Sequence, residues 1–211
     1  MESTKQITKA MEMVAASKLR RAQAQILSSR PYFEILYSTI QDIVRDTKDL
    51  SSPYLQERES KKVMYIVIAG DRGLAGGYNS NILKMVHAQM QGQDAIVLPI
   101  GKKALDFFKA RQTPLFTETY AEAADIGIGD CFSISRQVSR AYLDGAFDEV
   151  YIAYTNFVSV LSQVPDSKKL LPLVREHTAK SGNYRSDTLY EPDAESVFAA
   201  IVPEYLGGIL Y

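Results

Sequence analysis

Val63-Met64-Tyr65-Ile66-Val67-Ile68-Ala69 runs without a charged residue and is followed at once by Gly70-Asp71-Arg72-Gly73-Leu74-Ala75-Gly76-Gly77-Tyr78-Asn79. A continuous apolar run of strand length, closed by glycine, marks a strand buried on both faces. Downstream, Ile82, Leu83, Met85 and Val86 carry a helical segment, Ala95–Ile100 reads as a second strand, and Ala104, Leu105 and Phe108 mark a short helix. This strand-loop-helix-strand-helix order predicts an α/β fold, with a parallel sheet and helices on its faces. Farther on, Ile134, Val138, Ala141 and Tyr142 share a face and predict a helix over Phe132–Leu143. Glu149–Val160 and Ser162–Val174 read as two long strands able to pair antiparallel, which makes the sheet mixed and Rossmann-like. Lys180–Pro192 is a polar loop, and Asp193 is placed to cap a last helix carrying Val197, Ile201, Tyr205 and Ile209.

Upstream of the first strand the composition changes. Between Met1 and Arg30 lie the basic residues Lys5, Lys9, Lys18, Arg20, Arg21 and Arg30, against only Glu2 and Glu12. Ser3 with Gln6 could form a capping box. Ile7, Met11 and Val14 lie on one helical face, and Ala15, Leu19, Ala22 and Ile26 extend that stripe. A helix over Thr4–Ile26 is about 35 Å long at ~1.5 Å per residue. Pro31 is expected to kink or interrupt it before Phe33, Leu36, Ile40 and Val44 resume the pattern. The chain thus divides into a long helix over 1–50, an α/β domain over 51–192 and a terminal helix from 193. Leu206, Ile209, Leu210 and Tyr211 are still apolar at helical spacing, and the expectation is a trimmed chain or an end that docks elsewhere.

With 46% hydrophobic and 23% charged residues the chain can build an ordinary core. A formal charge of −1 excludes a globally basic nucleic-acid binder. Cys131 is the single cysteine, so no internal disulfide is possible. No apolar run approaches the ~20 residues that span a bilayer, so membrane association is expected only through a protein partner.

Catalytic patterns are missing. The glycine loop stands between a strand and a helix, where phosphate binds in many α/β folds. Its spacing is nevertheless neither G-x-G-x-x-G nor that of a P-loop, and Gly101-Lys102 is followed by Lys103. Two readings stay open: a phosphate cradle, or a tight turn whose glycines supply positive φ while Asp71 and Arg72 form a local ion pair. His87 and His177 with one Cys make no zinc pattern, and no G-x-S-x-G elbow occurs. No catalytic residue, cofactor or metal ligand is therefore assigned. The basic helix is either a solvated face or an electrostatic contact for an acidic partner.

Thr4-Lys5-Gln6-Ile7-Thr8-Lys9-Ala10-Met11-Glu12-Met13-Val14-Ala15-Ala16-Ser17-Lys18-Leu19-Arg20-Arg21-Ala22 resembles the first helix of the gamma subunit family of F-type ATP synthases. Asp71-Arg72-Gly73-Leu74-Ala75-Gly76-Gly77-Tyr78-Asn79-Ser80-Asn81 is similar to a second signature of that family, and Leu170-Leu171-Pro172-Leu173 and Tyr190-Glu191-Pro192 fall where it has similar segments. The resemblance spans essentially the whole chain, although family members begin a few turns earlier and end in a longer helix. It implies a non-catalytic central-stalk rotor that couples proton-driven rotation to ATP synthesis or hydrolysis on the beta subunits. The two terminal helices would form an antiparallel coiled coil, with Ile7, Met11, Val14, Ala15, Leu19, Ala22 and Ile26 as its face. Lys9, Lys18, Arg20 and Arg21 would lie near acidic segments of the catalytic ring of alpha and beta subunits, and Asp71, Arg72, Gly73 and Ala75 near the same segments. The domain would rest on the epsilon subunit and the membrane c-ring, with Asp187–Pro192, including Tyr190 and Glu191, as a candidate foot. The implied place is the cytoplasmic face of a bacterial plasma membrane, without nucleic acid and with membrane contact only through partners.

Overall fold

The computed structural model describes residues 2–47, 49–59, 62–159, 162–174 and 189–211. The first element, α1, is Glu2–Asp46, 45 residues long, or about 68 Å at ~1.5 Å per residue. It is already helical at Ser3, so the helix does not start there, and it runs through Pro31 without interruption. A proline inside a helix forfeits one ladder bond and crowds the carbonyl four residues back. Contacts on either side carry the helix past that defect: Arg30 pairs with Glu34 across it at 2.7 Å, and Phe33 packs on Gly208.

Four strands form one sheet: β1 (Lys62–Ile68), β2 (Asp94–Ile100), β3 (Glu149–Ser159) and β4 (Ser162–Leu171). The order is β2-β1-β3-β4. β1 pairs parallel with β2 and β3, and β3 pairs antiparallel with β4 at the edge. β1 is central and flanked on both faces, which is why its sequence is continuously apolar rather than alternating. Val63, Tyr65 and Val67 face one layer, with Ile82, Leu83 and Val86 of α2 (Tyr78–Gln89) and Ala104 and Phe108 of α3 (Lys102–Lys109). Met64 and Ile66 face the other, against Ile134, Val138 and Tyr142 of α4 (Ile128–Leu143) and Phe198, Val202 and Leu206 of α5 (Ala194–Leu210). Ile40 and Ile43 of α1 complete that second layer.

Two boundaries differ from the sequence expectation. α4 begins about one turn before Phe132, because Asp130 Oδ2 accepts the Gly127 N–H at 2.9 Å and fixes an earlier start. β4 stops at Leu171 rather than Val174, since Pro172 has no N–H for the ladder. Leu173 then donates its N–H to the Tyr54 carbonyl at 2.7 Å instead. Asp193 caps α5 as expected, accepting the Ser196 N–H at 2.7 Å.

α5 runs antiparallel to α1. The Ser51 N–H reaches Glu195 at the start of α5, the Tyr37 and Tyr205 rings stack at 5.6 Å, and Gln25 bonds the Tyr211 hydroxyl at its end. Between these, Gly208 lets the helices close up: a Cβ there would collide with the Phe33 ring. Ile40 and Ile43 are buried, whereas residues 4–28 of α1 are all exposed. The early part of the helix therefore stands clear of the head.

Candidate functional site

On the free part of α1, Ile7, Met11, Val14 and Ile26 are each more than half exposed, and Leu19 is 38% exposed. Ala15 and Ala22 are exposed between them. A stripe of this kind, unpaired in water, forgoes roughly 1.5–3 kcal/mol per large side chain that burial would supply. On the same helix Lys9, Lys18, Arg20 and Arg21 are exposed, and none has a salt bridge among the described residues. Ion pairs on α1 occur lower down, between Arg30 and Glu34 and between Arg45 and Asp42 and Asp46. The upper helix thus carries unneutralised positive charge beside uncovered apolar surface.

The second motif sits where α1 leaves the head. Ile68 and Ile100, the last residues of β1 and β2, line a cavity of about 230 Å³ together with Ala22, Gln25 and Ile26 of α1. The carboxyl ends of the parallel strands, the glycine loop and the exit of the helix are therefore one neighbourhood. The loop is tied from within by Asn79, whose Oδ1 accepts the Gly70 N–H at 2.8 Å and whose Nδ2 donates to the Arg72 carbonyl at 3.0 Å.

Asp71 ties the loop to the rest of the domain, and it does not do so through Arg72. Its Oδ1 accepts the N–H of Ala123 at 2.8 Å and of Lys102 at 3.2 Å, and its Oδ2 that of Ala124 at 3.0 Å. Burial works to raise the Asp71 carboxyl, but the donors of Ala123, Ala124 and Lys102, with the charge of Arg72, hold it below its usual range. In place of the local ion pair offered by the tight-turn reading stand three main-chain bonds, because a short carboxylate reaches nearby N–H groups at less cost in side-chain freedom than pairing with a long arginine. Lys102 opens α3, so Asp71 is an internal anion at that helix N-terminus, whereas the glycine loop itself leads into α2.

Positive φ falls at Leu74 (59°) and Gly76 (56°), not at Gly70, Gly73 or Gly77. Leu74 is also fully exposed at the loop tip. A bulky apolar residue held in the left-handed region and in water is doubly unfavourable, and such strain concentrates at contact sites. Spacing does not reveal this, because a leucine between glycines reads as an ordinary loop residue. Arg72, Gly73 and Ala75 are exposed on the same loop.

Tyr190 and Glu191 lie elsewhere. Burial and the Asp46 and Asp42 carboxylates push the Tyr190 phenol up, which sets it beside the last turn of α1. Ile26 to Asp46 is 20 residues of helix, so the two regions are separated by about 30 Å along α1. Asp187 and its neighbour 188 lie outside the described residues. His87 makes an edge contact with Phe107, and His177 is also outside the described residues. Among the described residues no group of three His, Cys, Asp or Glu is placed to hold a metal, and no helix is long and apolar enough to cross a membrane. Cys131 is buried in the core, which pushes its thiol up to about 11.

A family model described as ATP synthase matches residues 1–211. The ATP synthase gamma chain of Ruminococcus albus is 40% identical over 215 residues, covering 100% of this chain and 74% of the relative. That of Heliobacterium modesticaldum is 36% identical over 218 residues, covering 100% and 75%. Among solved structures, a chain of the Tetrahymena thermophila mitochondrial ATP synthase central stalk and c-ring superposes with a TM-score of 0.66 at 22% identity, over 97% of this chain and 89% of that one. That likeness is one of fold.

Proposed function

This chain belongs to the ATP synthase gamma-chain family, and from that premise we propose how its geometry serves the central-stalk rotor. The observation that carries the reading is the long helix standing clear of the head, with uncovered apolar and basic residues on it and the glycine loop at its base. The Ile7–Ile26 stripe is the face that a second antiparallel helix covers, in the register begun by Phe33 with Gly208 and Tyr37 with Tyr205. Within the ring of alpha and beta subunits, Lys9, Lys18, Arg20 and Arg21 face acidic segments. As the shaft turns, each catalytic site meets a different side of it and changes affinity in sequence. The Asp71–Asn81 loop contacts the same segments, with Leu74 as its apolar tip. Tyr190 and Glu191, at the far end, face the epsilon subunit and the c-ring.

The chain itself is non-catalytic in this reading, and nucleotide chemistry stays on the beta subunits. The spacing of the glycine loop, neither that of a dinucleotide-binding turn nor that of a P-loop, supports this. The relatives named above are bacterial, which favours the cytoplasmic face of a bacterial plasma membrane, reached through partners. Titration with the matching epsilon subunit, with ATP titrated separately, tests the assignment. Tight one-to-one binding to epsilon with no response to ATP is expected. Binding of ATP without affinity for epsilon would overturn it and return the glycine loop to candidacy as an active site.

A further inference from the structure

Two adjacent glycines, Gly207 and Gly208, interrupt the apolar run of α5. Glycine loses more freedom on entering a helix than any other residue, so a pair of them weakens α5. Neither takes the positive φ of a glycine that ends a helix. Their role lies in what they admit. A Cβ at Gly207 would collide with the Phe132 ring of α4, and one at Gly208 with the Phe33 ring of α1. α5 thus receives two phenylalanines at successive residues, about 100° apart around its axis and ~1.5 Å apart along it.

Each ring is boxed in. On the α1 side, Tyr205 and Tyr211 stand three residues before and after Gly208, so Phe33 meets a large side chain whichever way it slides. Tyr205 stacks on Tyr37 at 5.6 Å and Tyr211 bonds Gln25, which fixes both walls. Tyr32 sits edge-on against the Phe33 ring at 5.2 Å. On the α4 side, Glu204 stands three residues before Gly207 and pairs with Arg136 at 3.3 Å. Leu210 stands three residues after it and is buried. Ser135, whose Oγ donates to the Phe132 carbonyl at 2.9 Å, packs at Gly207 beside the ring. Through this level α1 packs on α5 and α5 on α4.

We propose that Gly207 and Gly208 form a phase lock: they hold α1 in one rotational register on the head, and so fix the direction in which Lys9, Lys18, Arg20 and Arg21 face relative to Arg72 and Leu74 on the glycine loop. The lock rests on the rotor reading and deepens it, naming the residues that keep two contact surfaces of the rotor in step. A slip of α1 by a single residue against α5 would turn those basic side chains by about 100°. The loop is held separately, through Asp71 and Asn79, and would not follow. Phe33 and Phe132 are positioning residues, acting through α5 rather than by touching a partner.

The test uses the assembled ATP synthase in vesicles, with ATP hydrolysis and ATP-driven proton pumping measured on the same preparation. Phe33→Ala removes a knob, Gly208→Leu fills its slot, and the two together move the bulk from one helix to the other. Each single variant is expected to pump fewer protons per ATP hydrolysed, and the exchange to regain the native ratio. The same exchange with Phe132→Ala and Gly207→Leu tests the other slot. Where a leucine variant fails to assemble, Phe33→Ala and Phe132→Ala, which only remove bulk, still carry the test. Ala199→Leu, an added side chain at an exposed position of α5, is expected to leave the ratio unchanged. A native ratio in both alanine variants overturns the lock. So does an exchange no better than its single variants, or an equal loss in Ala199→Leu. If the native chain supports no ATP-driven pumping, the rotor reading itself falls, and the lock falls with it.

Discussion

Gly101 closes the strand end on which the glycine loop depends, and replacing it by alanine is the sharpest test of the local geometry. Its φ of 93° and ψ of 147° lie in a region that is essentially glycine's alone. A Cβ there would also overlap the Ala69 carbonyl, well inside 3.0 Å, where only main chain is available to yield. Gly76 and Gly92 also have positive φ, 56° and 80°, but open space around them. Gly76→Ala should therefore cost only the left-handed strain, about 1 kcal/mol. Gly101→Ala adds displacement of the main chain that carries the Ala69 N–H to Ile100 bond of 2.9 Å and the Gly101 N–H to Tyr120 bond of 2.9 Å. Strain of up to about 3 kcal/mol and roughly 1 kcal/mol for a weakened bond give about 4 kcal/mol in all. With a urea dependence of about 2 kcal/mol per molar, the midpoint falls by about 0.5 M for Gly76→Ala and about 2 M for Gly101→Ala. Far-UV circular dichroism in urea measures both. Equal shifts for the two variants would refute the reasoning, since the crossing at Ala69 would then yield freely.

Leu74→Gly should raise stability by about 0.5–1 kcal/mol by relieving left-handed strain, and it should lower rotary coupling in the assembled complex; unaltered coupling would show the tip makes no contact. Because Asp71 is held below its usual carboxylate range in the folded chain, its contribution is complete above that range and lost as pH falls through it. Urea midpoints from pH 6 to pH 3 should accordingly fall less steeply in Asp71→Asn, and parallel slopes would contradict the main-chain tie. Replacing Arg20 and Arg21 together by glutamine should weaken coupling of ATP synthesis to rotation while leaving the head's urea midpoint unchanged, and normal synthesis would remove them from the drive surface.

The sheet was legible because burial on both faces leaves an unmistakable trace, the charge-free run of β1. The antiparallel β3-β4 pair was legible for a different reason: two strand-like segments separated by a very short break have little choice but to pair back. Asp71 was not, since its partners lie 31, 52 and 53 residues away and local pattern carries nothing about them. The start of α4 was hidden by Gly127-Ile128-Gly129, which reads as loop until the Asp130 carboxylate is seen to close it. In α1 the stripe of Ile7, Met11, Val14 and Ile26 could be read directly from periodicity. Its exposure could not, because the sequence does not say which other element reaches that height.

The meeting of Phe33 with Gly208 and of Ser51 with Glu195 means that α1 is covered by a helix made more than 140 residues later, α5. One face of the sheet, closed by α2 and α3 on β1, β2 and β3, needs nothing beyond Ala153. The other stays open until Phe198, Val202 and Leu206 emerge. On the ribosome the two halves of the core therefore mature at different times, and α1 waits in between, holding Ile40 and Ile43 uncovered until α5 emerges. Contacts so distant in sequence are slow to form, because a long loop must close before they are rewarded. The nascent chain is thus at its most adhesive just before α5 emerges.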